Sequence, residues 1–180
     1  MRLSTLFDIL YKNQQVSVVL KERVKLKIGS LDLSSLEAGT KLKLPYWIAK
    51  VLEEKGIVEV EDRGVGFDEL AKALWREEHS STLSSLSEDF YSKVRLYLER
   101  SLMPSIEGKP TRISELRQYQ ALLDELLGRR LQKILLVARV GISPPEYAKD
   151  MVVEERILYD RLNYVLEEWR KMVSSLTKGE

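Results

Sequence analysis

Cysteine is absent from the 180-residue chain. That excludes disulfides, thiol nucleophiles and every cysteine-based zinc site. His79 is the only histidine, so zinc held by several histidines is excluded and a Ser-His-Asp arrangement has one base to draw on. It sits in Arg76-Glu77-Glu78-His79-Ser80, which reads as the solvated end of a helix. Long apolar runs are missing too. The longest, such as Ile134 to Ala138, fall far short of the roughly 20 residues that span a bilayer. The N-terminus carries Asp8 and no apolar h-region, so it does not read as a signal peptide. Nor is there an excess of one charge: 29 Lys+Arg against 28 Asp+Glu leave +1, which gives no global attraction to nucleic acid or anionic membrane. No Walker-type loop is present, and Gly64-Val65-Gly66 lacks a third glycine, so it reads as a linker. The paired acids Glu53-Glu54, Glu77-Glu78, Glu154-Glu155 and Glu167-Glu168 are sequence neighbours. On a helix that sets them about 100° apart, as solvated faces rather than facing carboxylates. With no nucleophile, metal cluster or phosphate cradle, the expectation is a cytoplasmic non-enzyme with no catalytic, metal or cofactor-binding residues.

What is present is 44% hydrophobic and 32% charged, enough apolar material for a core. The pattern predicts an α+β chain: a small N-terminal β-rich domain followed by an all-α helical bundle. The expected boundaries are residues 1–62 for the first, with a short helical lead-in, 63–66 for a linker and 67–180 for the second. In Arg23-Val24-Lys25-Leu26-Lys27-Ile28 apolar and basic residues alternate, and Thr40 to Leu44 repeats the pattern. Pro45 opens a helix whose expected buried stripe is Trp47, Ile48, Val51 and Leu52. Gly56 closes it and Ile57 to Val60 returns as a strand. The basic rows fit a solvated face or protected sheet edge, or a track for phosphates.

After the Glu61–Gly66 boundary the chain reads as helix. Phe67 to about His79 comes first, then a helix lined by Phe90, Val94, Tyr97, Leu98 and Leu102. The third runs from about Arg112 to Arg139 behind a Thr111 cap, about 40 Å at 1.5 Å per residue. Its expected main stripe is Ile113, Leu116, Gln120, Leu123, Leu127, Leu131, Ile134 and Ala138. Leu122, Leu126, Leu136 and Val137 lie elsewhere around it, so it is either central or in contact with another subunit. Gly128 inside it costs about 1 kcal/mol against alanine, through close packing or as a tolerated irregularity. Pro144-Pro145 interrupts the chain, and Asp150 is the expected cap of a last helix to about Val173. Its main stripe is Leu158, Leu162, Val165, Trp169 and Met172, and Val153, Ile157 and Tyr164 form a second patch. The second patches, Leu122, Leu126 and Leu136 with Val153, Ile157 and Tyr164, are the candidate subunit contacts; each also has the alternative of facing a helix of its own domain.

From Leu126 to Pro145 there is no acid, while Arg129, Arg130, Lys133 and Arg139 are basic. Arg129 and Lys133 lie one helical turn apart and are expected to pair with acids of a neighbouring helix or subunit. The alternative is a nucleic-acid-binding module using these residues and the basic strand face.

The segment GTKLKLPYWIAKVLEEKGIVEV, Gly39 to Val60, resembles the small β-domain of GINS subunits, above all in Leu44-Pro45, Trp47 and Ala49. Thr40 stands where an acidic residue is common in that family. Asp89-Phe90-Tyr91, Arg129-Arg130-Leu131 with Lys133-Ile134, and Pro145-Glu146 through Glu154-Glu155-Arg156 to Tyr159 are similar to elements of the GINS helical domain. Met151-Val152-Val153 replaces the Leu-Thr usual before the paired glutamates. Small domain first, helical domain second, matches one of the two archaeal GINS subunit types. The resemblance implies a DNA replication factor that forms a two-plus-two heterotetramer with the second GINS subunit type through its helical domain. It also implies binding to the MCM helicase and a RecJ-like protein, weak or absent direct DNA binding, no membrane and no cofactor.

Overall fold

The computed structural model describes residues 3–29, 31–102, 113–140 and 149–178. They form a mixed α+β fold in which a small N-terminal sheet precedes a mostly helical remainder. The chain divides into two compact units, Met1–Gly64 with Tyr91–Arg100, and Val65–Phe90 with Ser101–Glu180.

In the first unit, helix α1 (Leu3–Asn13) leads into β1 (Gln15–Leu20), the centre of a sheet ordered β4-β1-β5. Strand β4 (Lys41–Pro45) pairs antiparallel with β1, Val18 opposite Leu42, and β5 (Val58–Val60) pairs on the other side, Val18 opposite Val60. Period-two alternation sends Val16, Val18 and Leu20 inward, where they meet Leu44, Val58 and Val60. Helix α2 (Tyr46–Glu54) covers them with Ile48, Ala49 and Leu52. Gly56 follows at φ 74°, the left-handed stop its position predicts. Trp47 and Val51, expected in the buried stripe, are exposed: the face toward the sheet runs through Tyr46, Ile48, Ala49 and Leu52 instead. Of the basic alternating segment only β2 (Lys27–Ile28) is a strand, paired with β3 (Leu31–Asp32) in a separate two-stranded ribbon.

The break between Gly64 and Val65 falls inside the expected 63–66 boundary, but the expected second domain, 67–180, needs correction. Helix α4 (Phe90–Leu102) gives residues Tyr91–Arg100 to the first unit, where Leu96 is fully buried in its core. Polar contacts hold it there. Tyr46 Oη donates to Glu99 at 2.9 Å, Arg95 lies over the Tyr11 ring 4.2 Å from its centroid, and Arg95 reaches Asp8 at 2.5 Å. The supposed linker is packed rather than solvated. Gly64 has φ 73°, and a Cβ there would fall 2.2 Å from the Lys93 carbonyl oxygen, so backbone touches backbone.

The second unit contains α3 (Phe67–Glu78), α5 (Ile113–Val140) and α6 (Val153–Lys178), with α5 packed on both of the others. The residues α5 buries are Tyr119, Leu126, Arg130, Ile134 and Ala138. Ile134 and Ala138 of the expected stripe are buried, but Ile113, Leu127 and Leu131 are exposed, which corrects the rest of it. On α6 the buried residues are Glu155 and Tyr159, with Leu162 and Leu166 packed beside them. The expected Asp150 cap is not the helix start. Asp150 lies in the preceding turn, and Glu155 Oε2 accepts the Val152 N–H at 3.2 Å. The Thr111 cap and Pro144-Pro145 lie outside the described residues.

Candidate assembly surface

Three helices of the second unit are tied by one buried ionic cluster. Residues 126, 130, 134 and 138 fall on one i+4 line of α5, so Arg130 points where its neighbours Leu126, Ile134 and Ala138 point, inward. It is 1% exposed. Its guanidinium forks onto Glu155 of α6, Nε to Oε1 at 2.6 Å and a terminal nitrogen to Oε2 at 2.7 Å. The other terminal nitrogen donates to Glu77 of α3 at 2.7 Å and to the Ser84 carbonyl at 2.8 Å. Planar, bidentate pairing of this kind is what lets a buried cation repay part of its desolvation.

Lys133, one turn on, donates to Glu77 Oε1 at 2.5 Å and to the Glu77 and Ser80 carbonyls at 2.7 and 2.9 Å. A cation thus sits at the C-terminal end of α3, where the helix dipole favours it. Two cations and two carboxylates leave the cluster neutral. Burial works to raise the Glu77 pKa. The hydrogen bonds from Lys133 and Ser84 and the charge of Arg130 outweigh it and hold the carboxyl below its usual range. Arg129, on the solvent side, pairs with Glu78 at 2.7 Å and Glu125 at 2.8 Å. The expected acidic partners of Arg129 and Lys133 are therefore residues of α3 in the same unit, with Glu125 of α5 for Arg129.

The apolar candidates separate. Leu126 is fully buried in the unit's own core, which removes it as a contact position. Leu122 and Ile157 are half-buried. Leu136, Val153 and Tyr164 are exposed, as a subunit contact requires. The larger exposed apolar face lies where the sequence predicted core. Val165, Trp169, Met172 and Leu176 follow one another at steps of four, three and four along α6, and Trp169 and Leu176 are 55% and 77% exposed. Every residue from Glu167 to Leu176 is exposed, nearly three turns of helix that touch little of their own unit. Leu127, Leu131 and Leu135 add an exposed i+4 row on α5. Fully burying a Val, Leu or Met side chain is worth about 1.5–3 kcal/mol, so covering the α6 stripe would release several kcal/mol. Sequence periodicity finds such a stripe but cannot say whether its own chain or another covers it.

His79 ends α3 exposed, stacked on Trp75 with ring centroids 4.4 Å apart. Among the described residues no group of three or more His, Cys, Asp or Glu is placed to hold a metal ion. No described helix is long and apolar enough to cross a membrane. No protein-family model matches the chain, and no curated protein matches its sequence.

Proposed function

We propose that the chain is a non-enzymatic subunit of a GINS-type DNA replication complex. In this reading it scaffolds and activates the MCM helicase together with a RecJ-like partner, at replication forks in the cytoplasm. The observation that carries the reading is the α6 stripe of Val165, Trp169, Met172 and Leu176, apolar at helix-pairing spacing and uncovered within its own unit. The resemblance of Gly39–Val60 to the GINS small domain supplies the choice of assembly. The rival reading, nucleic-acid binding through the basic strand face and Arg129–Arg139, loses support in its second part, because Arg129, Arg130 and Lys133 are engaged by Glu77, Glu78, Glu125 and Glu155.

The test is reconstitution with a GINS subunit of the reverse domain order, read by size-exclusion chromatography with light scattering. The wild-type chain forms a two-plus-two heterotetramer. Trp169→Glu with Met172→Glu leaves the circular dichroism and unfolding midpoint in place but abolishes assembly. Undiminished assembly by that variant would reject this surface.

A further inference from the structure

A second surface lies in the first unit, on the basic alternating segment. Val24, Leu26 and Ile28 are half-buried and pack on the core of the sheet, while Arg23, Lys25 and Lys27 are exposed. The register of the ribbon fixes where the backbone of this segment points. Leu33 N donates to Leu26 O at 2.9 Å, and Lys27 faces Asp32 across the pair of strands. In an antiparallel pair, hydrogen-bonded and non-hydrogen-bonded positions alternate. Leu26 is of the first kind, so the N–H and C=O groups of Lys25 and Lys27 point away from β3. Among the described residues nothing pairs with them.

The side chains beside this edge are unmatched in charge. Lys21 pairs with Glu59 and Lys41 with Glu61, but Arg23, Lys25, Lys27 and Lys43 have no acidic partner among the described residues. An open hollow of about 450 Å³ is lined by Lys25, Leu26, Lys27, Asp32 and Ser34. Its one carboxylate is engaged: Asp32 accepts Ser34 N at 2.9 Å and the Ser34 hydroxyl, and these bonds hold its pKa below the usual range. The ribbon therefore carries two ammonium groups without an ion pair on the face that lines the hollow, and an unpaired backbone edge beside them.

We propose that the Arg23–Ile28 edge receives an extended acidic segment of a partner protein as an added strand. Strand addition satisfies the outward N–H and C=O groups of Lys25 and Lys27. Side chains on one face of a strand repeat every second residue, about 6.4–6.8 Å, the same two-residue step that separates Lys25 from Lys27. Cross-strand neighbours of opposite charge stabilise the pair, so the incoming residues opposite Lys25 and Lys27 are glutamate or aspartate. A nucleic-acid backbone would match the charges but leave the strand edge unpaired. It would also find no aromatic side chain on this segment for bases to stack on. The proposal is independent of the reading of α6.

The test uses the full chain, labelled with nitrogen-15, and a blocked hexapeptide of alternating glutamate and threonine. Binding is followed by fluorescence anisotropy and amide hydrogen exchange. The expected result is saturable binding with slowed exchange at the Lys25 and Lys27 amides. Lys25→Glu with Lys27→Glu should weaken it by about tenfold or more, the size expected when two cross-strand charge pairs are reversed. The peptide N-methylated at alternate residues keeps its charge but cannot pair as a strand, and should bind at least as poorly. Equal binding of the methylated peptide, tighter binding of a single-stranded oligonucleotide of the same charge, or no binding at millimolar peptide would each overturn the proposal.

Discussion

Arg130→Met tests whether the ionic cluster locks the second unit together. The substitution keeps an unbranched apolar stem of similar reach and deletes the guanidinium. Both Glu155 oxygens then lose their bonds to it, and Glu77 loses one of its two cations, at sites 5% and 1% exposed. Removing one partner of a buried ion pair costs about 3–5 kcal/mol, because the partner charge stays buried without compensation. For a unit of roughly 100 residues each kcal/mol moves the unfolding midpoint by about 4–8 °C, so a fall of the order of 15 °C or more is expected. The assay is thermal unfolding by circular dichroism, with urea titration for the free energy. Glu155→Met in the Arg130→Met background removes the stranded carboxylate, and the double variant should recover about 2 kcal/mol or more relative to additivity. Arg129→Met, whose partners are solvent-exposed, should leave the midpoint nearly unchanged. A cost below about 1 kcal/mol for Arg130→Met, or strict additivity in the cycle, would refute the lock, since breaking a true buried pair costs several times more.

Two glycines should respond in opposite directions to alanine. Gly64→Ala places a Cβ 2.2 Å from Lys93 O at a positive φ and should lower the first unit's midpoint sharply; Gly128→Ala meets nothing within 4 Å and should stabilise α5 by up to about 1 kcal/mol, both read by thermal unfolding. Glu154 is half-buried with Oε2 unpartnered, and burial, with the neighbouring Glu155 charge, raises its pKa. A raised folded-state pKa means that stability declines as pH rises from the unfolded value through the folded one. Glu154→Gln should therefore raise the midpoint at neutral pH, with the gain vanishing below about pH 4, under the ordinary glutamate pKa. Glu77 runs the other way: its lowered pKa contributes stability above the ordinary glutamate range that is lost as pH falls through the folded value. Glu77→Gln should flatten that acid limb in a series of melts across pH.

The α+β order, the stop at Gly56 and the strands near Thr40–Leu44 and Ile57–Val60 follow from local rules. Alternation, turn glycine and helix-opening proline each act within a few residues. What failed to follow is which face of a long helix meets its own chain. On α5, Leu123, Leu127 and Leu131 looked like the buried row, yet the row carrying Arg130 is inside, because Glu77 of α3 and Glu155 of α6 complete it. A periodicity scan scores arginine as surface and has no way to see two carboxylates at sequence separations of 53 and 25 residues. The hint was there in three parts: charged residues at i+4 from apolar core positions on three helices, Ala73 to Glu77, Leu126 to Arg130 and Glu155 to Tyr159. Helix α6 failed in the opposite sense. Its apolar stripe was legible, but Val165, Trp169 and Met172 are uncovered within the unit, and no intrachain rule anticipates that. Assignment of α4 to the first unit turned on Leu96 and Glu99, whose partners lie some 50 residues upstream.

The most direct test of the proposed function is duplex unwinding by purified MCM helicase in the presence of the reconstituted assembly and the RecJ-like protein. The wild-type chain should stimulate unwinding. The Trp169→Glu, Met172→Glu variant, folded but unassembled, should not, and neither chain alone should unwind or cleave DNA. Equal stimulation by both chains, or unwinding by MCM indifferent to their presence, would contradict the proposal of a helicase scaffold built through α6.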